Sequence, residues 1–143
     1  MSSNIEQKQV AKAMFYAAIF CLIYIGASYY WSPKNFSVTF DFQDRLQYAI
    51  KYDLFAVLML LFGIMVVAKQ RFFSPTAISG DTPSSDKSIV INVRYIQNTL
   101  EQFVLLLITH LGLTVVLTAE KMCIIPILVS LFIIGRFLFW IGY

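Results

Sequence analysis

Ala13 to Trp31 is a run of nineteen residues without one charged side chain, and it narrows the available folds more than any other feature. As a helix, at about 1.5 Å per residue, it crosses the roughly 30 Å apolar slab of a bilayer. It ends in Tyr29, Tyr30 and Trp31, the amphipathic aromatics that settle at a membrane–water interface. A cleaved signal-anchor is the competing reading, and the lack of a small-residue cleavage site at the aromatic end weighs against it.

Three further apolar stretches follow. Leu54 to Ala68, extended by Tyr52, is closed by Lys69, Gln70 and Arg71, whose long stems can reach the interface while their heads stay wet. Phe103 to Ala119 forms the bulk of a third span entered from Arg94, and Met122 to Tyr143 returns as a fourth, with Pro126 in its opening turns, where a missing N–H does least harm. The chain is 59% hydrophobic and 13% charged, against roughly 45–50% and 25% for a soluble domain. We therefore expect an all-α, polytopic transmembrane four-helix bundle. Its divisions are a polar cytosolic tail at 1–12, an extra span at 13–31, a lumenal loop at 32–51 and a membrane domain at 52–143. Spans within that domain fall at about 52–69, 94–119 and 122–143, with a loop at 70–93.

The connecting segments carry their own signals. FSVTFDF alternates, as a short strand or an interfacial segment would, and Asn35-Phe36-Ser37 is a glycosylation sequon. Phe72 to Lys87, with Pro75, Gly80, Pro83 and its serines, has the composition of an exposed, poorly ordered loop. Glu120 and Lys121 make a tight turn. Lys8, Lys12, Lys69, Arg71, Lys87 and Arg94 on one side outnumber Lys34, Arg45, Lys51 and Lys121 on the other. The positive-inside rule then places the N-terminus in the cytosol and Asn35 on the lumenal or extracellular side.

Several classes of function are excluded by what the chain lacks. A net charge of +3 without a clustered basic patch gives nucleic acid nothing to hold. Cys21 and Cys123 lie in or beside apolar segments, with one histidine in the whole chain, so neither a disulfide framework nor a metal site is expected.

The chemistry concentrates in VRYIQNTLEQF, Val93 to Phe103. On a helix, Arg94, Asn98 and Glu101 share one face at the mouth of the third span. Arg136 and Tyr143 share a face near the end of the fourth. Ionisable groups at that depth cost roughly 2.5–3.5 kcal/mol each and need partners. An antiparallel hairpin of the third and fourth spans brings two guanidiniums, an amide, a carboxylate and a phenol to one depth. Guanidiniums hold carboxylates by two parallel bonds and an amide reads a peptide group, an inventory suited to a small anionic peptide. The structural alternative pairs Arg94 with Glu101 or a loop acid and leaves Arg136 to snorkel or pair within the bundle.

Arg94-xxx-Asn98-xx-Glu101 at the start of one span, then Arg136-xxxxxx-Tyr143 at the end of the next, resembles the MAPEG superfamily, the membrane-associated proteins of eicosanoid and glutathione metabolism. The resemblance covers roughly Tyr52 to Tyr143. It implies a homotrimer in which Arg94, Asn98, Glu101 and Arg136 bind glutathione between subunits, with Tyr143 catalytic beside the thiol. The family often places Gln or His two residues before the asparagine; here Ile96 stands there and Gln97 follows, a one-residue shift that turns a helical side chain by about 100°. The extra span before the domain is similar to the arrangement in the mattrin branch, which implies a regulator of membrane trafficking or receptor processing in the endomembrane system (endoplasmic reticulum, Golgi or lysosome), acting through a membrane protein partner. The alternative is a glutathione transferase or peroxidase acting on a lipophilic electrophile. The family's fourth helix does not occur in these residues, and if they belong to a longer chain an apolar span of about 20 residues should follow. His110 is expected to bond a neighbouring helix through Thr or backbone, and Thr109, Thr114 and Thr118 to bond across helices or to the backbone. Gly135 and Gly142 are expected to permit close helix approach.

Overall fold

The computed structural model describes residues 2–32, 41–73 and 87–142. The Asn35 sequon, most of FSVTFDF, residues 74–86 of the loop expected at 70–93, and Tyr143 lie outside the described residues. Four helices carry the rest: α1 (Ser2–Trp31), α2 (Phe42–Phe72), α3 (Lys87–Val116) and α4 (Ile124–Ile141). All four contain stretches long and apolar enough to cross a membrane. Large apolar side chains such as Phe15, Leu22, Leu54 and Ile108 stand outward on their surfaces. In water so much exposed apolar surface would be a liability, and in a bilayer it is the surface that meets lipid.

Three helices begin earlier than apolarity alone suggests, and α1 already starts at Ser2, within the segment read as a polar tail. The segment 42–51, expected within a loop, forms the first turns of α2, because Asp41 caps it: the carboxylate accepts from the Phe42 N–H at 2.6 Å. Asp44 in the first turn and Lys69 and Arg71 in the last complement the helix dipole. Likewise α3 starts at Lys87 rather than near Arg94. Apolarity reports the part of a helix that lies in lipid, whereas polar ends continue the hydrogen-bond ladder into water. Pro126 is the third residue of α4, where the N–H it lacks would have had no intrahelical partner. Between α3 and α4 a 3₁₀ turn, Ala119–Lys121, reverses the chain.

Helix α2 is central and packs against both α3 and α4, with α1 lying against α4. Its buried residues, Ala49, Asp53, Ala56, Met59, Gly63 and Val67, recur every three or four positions as one helical stripe. Three of them, Ala49, Ala56 and Gly63, are small and seven apart, so the neighbouring helix comes close. The two helices are antiparallel, and polar contacts mark the register from end to end. The Arg45 guanidinium donates to the Leu117 carbonyl at the C-terminus of α3. Asp53 meets His110. At the far end Asn92 donates to Gln70 at 3.0 Å, and Gln70 donates to the Ser88 hydroxyl at 2.8 Å.

Helix α4 runs parallel to α2, with Ala49 beside Met122 and Ile125 in one apolar cluster and Phe62 edge-on to Trp140 at 5.4 Å. The Tyr24 and Ser130 hydroxyls, 2.9 Å apart, tie α1 to α4. Close approach falls on a different glycine from those expected. A Cβ at Gly135 would meet nothing within 4 Å, and one at Gly142 would meet only carbonyls of its own helix. At Gly63 it would lie 3.1 Å from both Ile96 Cγ1 and Tyr95 Cε1. Tyr95 is fully buried and has no room to retreat. Gly63→Val should therefore push α2 and α3 apart, lowering stability by about 1–3 kcal/mol, whereas Gly135→Ala should be neutral; thermal unfolding of the detergent-solubilised proteins compares them.

Candidate functional site

With Tyr95 and Ile96 turned toward α2, helical geometry turns the residues on either side of them away from it. Arg94 and Asn98 stand one turn apart, as do Gln97 and Glu101. These four, with Phe139 of α4, line a crevice of about 240 Å³. The Gln97 amide reaches the Glu101 carboxylate at 3.4 Å. Gln97 thus lines the crevice despite its shift by one position, because the polar face is two adjacent stripes wide. Ile96 is used for packing against α2 instead.

Asn98 is tied to α4. Arg136 Nη1 donates to Asn98 Oδ1 at 2.7 Å, which joins α3 and α4 where their contact is brief. The guanidinium lies 5.6 Å from the Phe132 ring centroid and 5.3 Å from that of Phe139, within cation–π range. Phe139 in turn stacks on the buried Tyr95 ring at 6.0 Å. Arg136 is therefore held by two rings and one amide, and its Nε is buried with no partner among the described residues. The bond uses the Asn98 carbonyl oxygen, and among the described residues nothing accepts from its NH₂. Arg94, Gln97 and Glu101 are exposed, and with only the long Gln97–Glu101 bond between them the cation and the carboxylate remain open to a polar ligand carrying both signs of charge. The structure brings Arg94, Asn98 and Glu101 into one crevice and places Arg136 behind Asn98.

The MAPEG family model matches residues 52–143. This chain belongs to the MAPEG family. The match takes in most of α2 and all of α3 and α4, so the whole crevice lies within the MAPEG domain and α1 precedes it. Comparison with curated proteins and with solved structures gave no match.

Within the MAPEG domain His110 bonds a neighbouring helix, as expected, but through a different partner. His110 Nδ1 lies 2.5 Å from Asp53 Oδ1, both side chains buried. The expected partner, Thr or backbone, is replaced by a carboxylate on α2. An acid at the head of an apolar run gives no indication by itself of which helix will face it. The antiparallel register supplies that. Thr109 and Thr114 bond carbonyls of their own helix, Leu105 and Leu111, at 2.8 and 2.7 Å, while Thr118 flanks the 3₁₀ turn with no capping bond.

Among the described residues His110 Nε2 and Asp53 Oδ2 are buried without partners, so the pair depends on its one contact. Removing either side leaves the other buried polar group unsatisfied, at a cost of about 1–3 kcal/mol. His110→Leu and Asp53→Leu should each lose about that much. The double variant should be more stable than either single variant. Denaturant unfolding of the four proteins in mild detergent measures all three differences.

Proposed function

We propose that this MAPEG protein binds glutathione in the crevice at the α3–α4 contact and acts as a mattrin-type regulator of membrane trafficking or receptor processing. The observation that carries the reading is the convergence of Arg94, Gln97, Asn98 and Glu101 on one space, with Asn98 anchored by Arg136. In this reading the glutathione carboxylates meet Arg94, its amino group meets Glu101, and the Asn98 NH₂ donates to a peptide carbonyl. Arg136 acts from behind, as positioning residue and positive field. Ligand pockets usually measure about 300–1,000 Å³. A crevice of about 240 Å³ thus covers only part of a tripeptide, and the remaining wall comes from a second subunit of a homotrimer. The lysine and arginine distribution supports a cytosolic N-terminus, with Asn35 a lumenal glycosylation site on an endomembrane protein.

One observation favours the alternative, a transferase. A mostly apolar groove of about 360 Å³, lined by residues of α1, α3 and α4 that include Cys21, Leu105, Leu128 and Phe132, reaches Arg136. A lipophilic electrophile entering from the bilayer would arrive there beside the thiol. The cationic surroundings would favour the thiolate, whose sulfur would bond the electrophilic carbon as a leaving group such as halide departs with its electron pair, with Tyr143 donating a hydrogen bond to the sulfur.

Calorimetry with glutathione tests binding. Saturable binding is expected, weakened about 10–100-fold by Arg94→Ala, which removes a charge-assisted hydrogen bond, and weakened also by Asn98→Ala. No binding at millimolar glutathione, with all variants folded, would sink the reading. Conjugation of an aryl halide by the same preparations then separates transferase from regulator.

A further inference from the structure

Arg94 also borders a second crevice on the other side of its turn. Arg71, in the last turn of α2, Val90, Val93 and Arg94 line a space of about 250 Å³. Two guanidiniums that face one space repel each other, and each favours an anion between them. Among the described residues no carboxylate pairs with either, and Arg71 Nε is buried with no hydrogen-bond partner. The arrangement has positive charge, directional donors and, among the described residues, no protein anion to meet them.

Its position selects the occupant. Arg71 is followed by Phe72 and Phe73, which are 75% and 73% exposed and touch edge to face at 5.2 Å. Exposed Lys69 lies just before it. A basic helix end beside an outward-facing aromatic pair marks the headgroup level of a bilayer. The valines give the crevice an apolar flank, and Val93 is exposed. Guanidinium above and hydrocarbon beside match the phosphate and glycerol ester of a phospholipid. The volume suits the head phosphate alone, with the acyl chains left in the bilayer.

We propose that Arg71 and Arg94 bind the phosphate of an anionic phospholipid at this membrane surface. The fork geometry of arginine suits phosphate oxygens taken two at a time, and basic pockets between transmembrane helices are suited to anionic headgroups. Because Arg94 is the wall common to both crevices, Arg71 belongs to the lipid site alone and Asn98 to the glutathione candidate alone. The two assignments therefore fail separately.

Native mass spectrometry of the full chain, released from mixed micelles holding equal phosphatidic acid and phosphatidylcholine, reads the preference directly. The wild type should retain phosphatidic acid over phosphatidylcholine by about five-fold or more, from about 1 kcal/mol per basic residue near the surface. Arg71→Gln should reduce that preference towards parity, Arg71→Lys should keep part of it, and Asn98→Ala should leave it intact. Equal retention of the two lipids by the wild type would overturn the proposal, as would a preference undiminished in Arg71→Gln. A competition arm with inorganic phosphate distinguishes the sources: displacement of the lipid at low millimolar phosphate would reassign the crevice to a soluble anion, and persistence of the lipid supports the assignment.

Discussion

The antiparallel register of α2 against α3, closed in its middle by Asp53 and His110, is the constraint on which the remaining geometry rests. In lipid a helix satisfies its own backbone, so nothing in the ladder says where one helix stops sliding along another. Side chains decide it. Small residues every seventh position on α2 let the helices close, and the carboxylate–imidazole contact accepts one vertical alignment. Gln70 with Asn92 and Arg45 with the Leu117 carbonyl agree with that alignment at the two ends. A slip by one residue would turn α3 by about 100° relative to its partner and break all three.

Once the register is set, α3 is divided lengthwise. Tyr95, Thr99, His110 and Thr114 are buried, while Arg94, Gln97 and Glu101 are exposed. Asn98 stands at the border and is claimed by Arg136 of α4. A chain of contacts thus leads from the packing face to the polar face: Gly63 admits Tyr95, Tyr95 stacks on Phe139, and Phe139 carries the Arg136 guanidinium. The crevice is held by the bundle rather than by a mobile loop. That suits a binding site whose polar groups would otherwise pair with each other inside the membrane.

The parts legible in the sequence are those governed by local periodicity. Uncharged runs mark the spans, and spacings of four and seven place Arg94, Asn98 and Glu101 on one face whatever else the chain does. Arg136 became meaningful only beside the first motif, through the resemblance to MAPEG proteins, since a lone arginine near a helix end can simply snorkel. What escaped are properties of pairs of helices. Asp53 stands beside an apolar run with no local sign of His110. Gly63 differs from Gly135 only in what faces it, and Gln97 reaches the crevice because of how wide the polar face is. The start of α2 at Phe42 was legible in principle, since Asp41 is a good capping residue, but the alternation of FSVTFDF pointed to extended structure there.

The most direct measurement of the central claim is a side-chain amide NMR titration with glutathione, using selectively ¹⁵N-labelled asparagine and glutamine in detergent-solubilised protein. Asn98 and Gln97 line the crevice, while Asn92 and Gln70 are bonded to each other at the α2–α3 contact and serve as internal references. The account predicts saturable shifts of the Asn98 and Gln97 resonances with Asn92 and Gln70 unmoved. Shifts spread evenly over all four, or none at saturating glutathione, would contradict it and leave the polar face as a structural network.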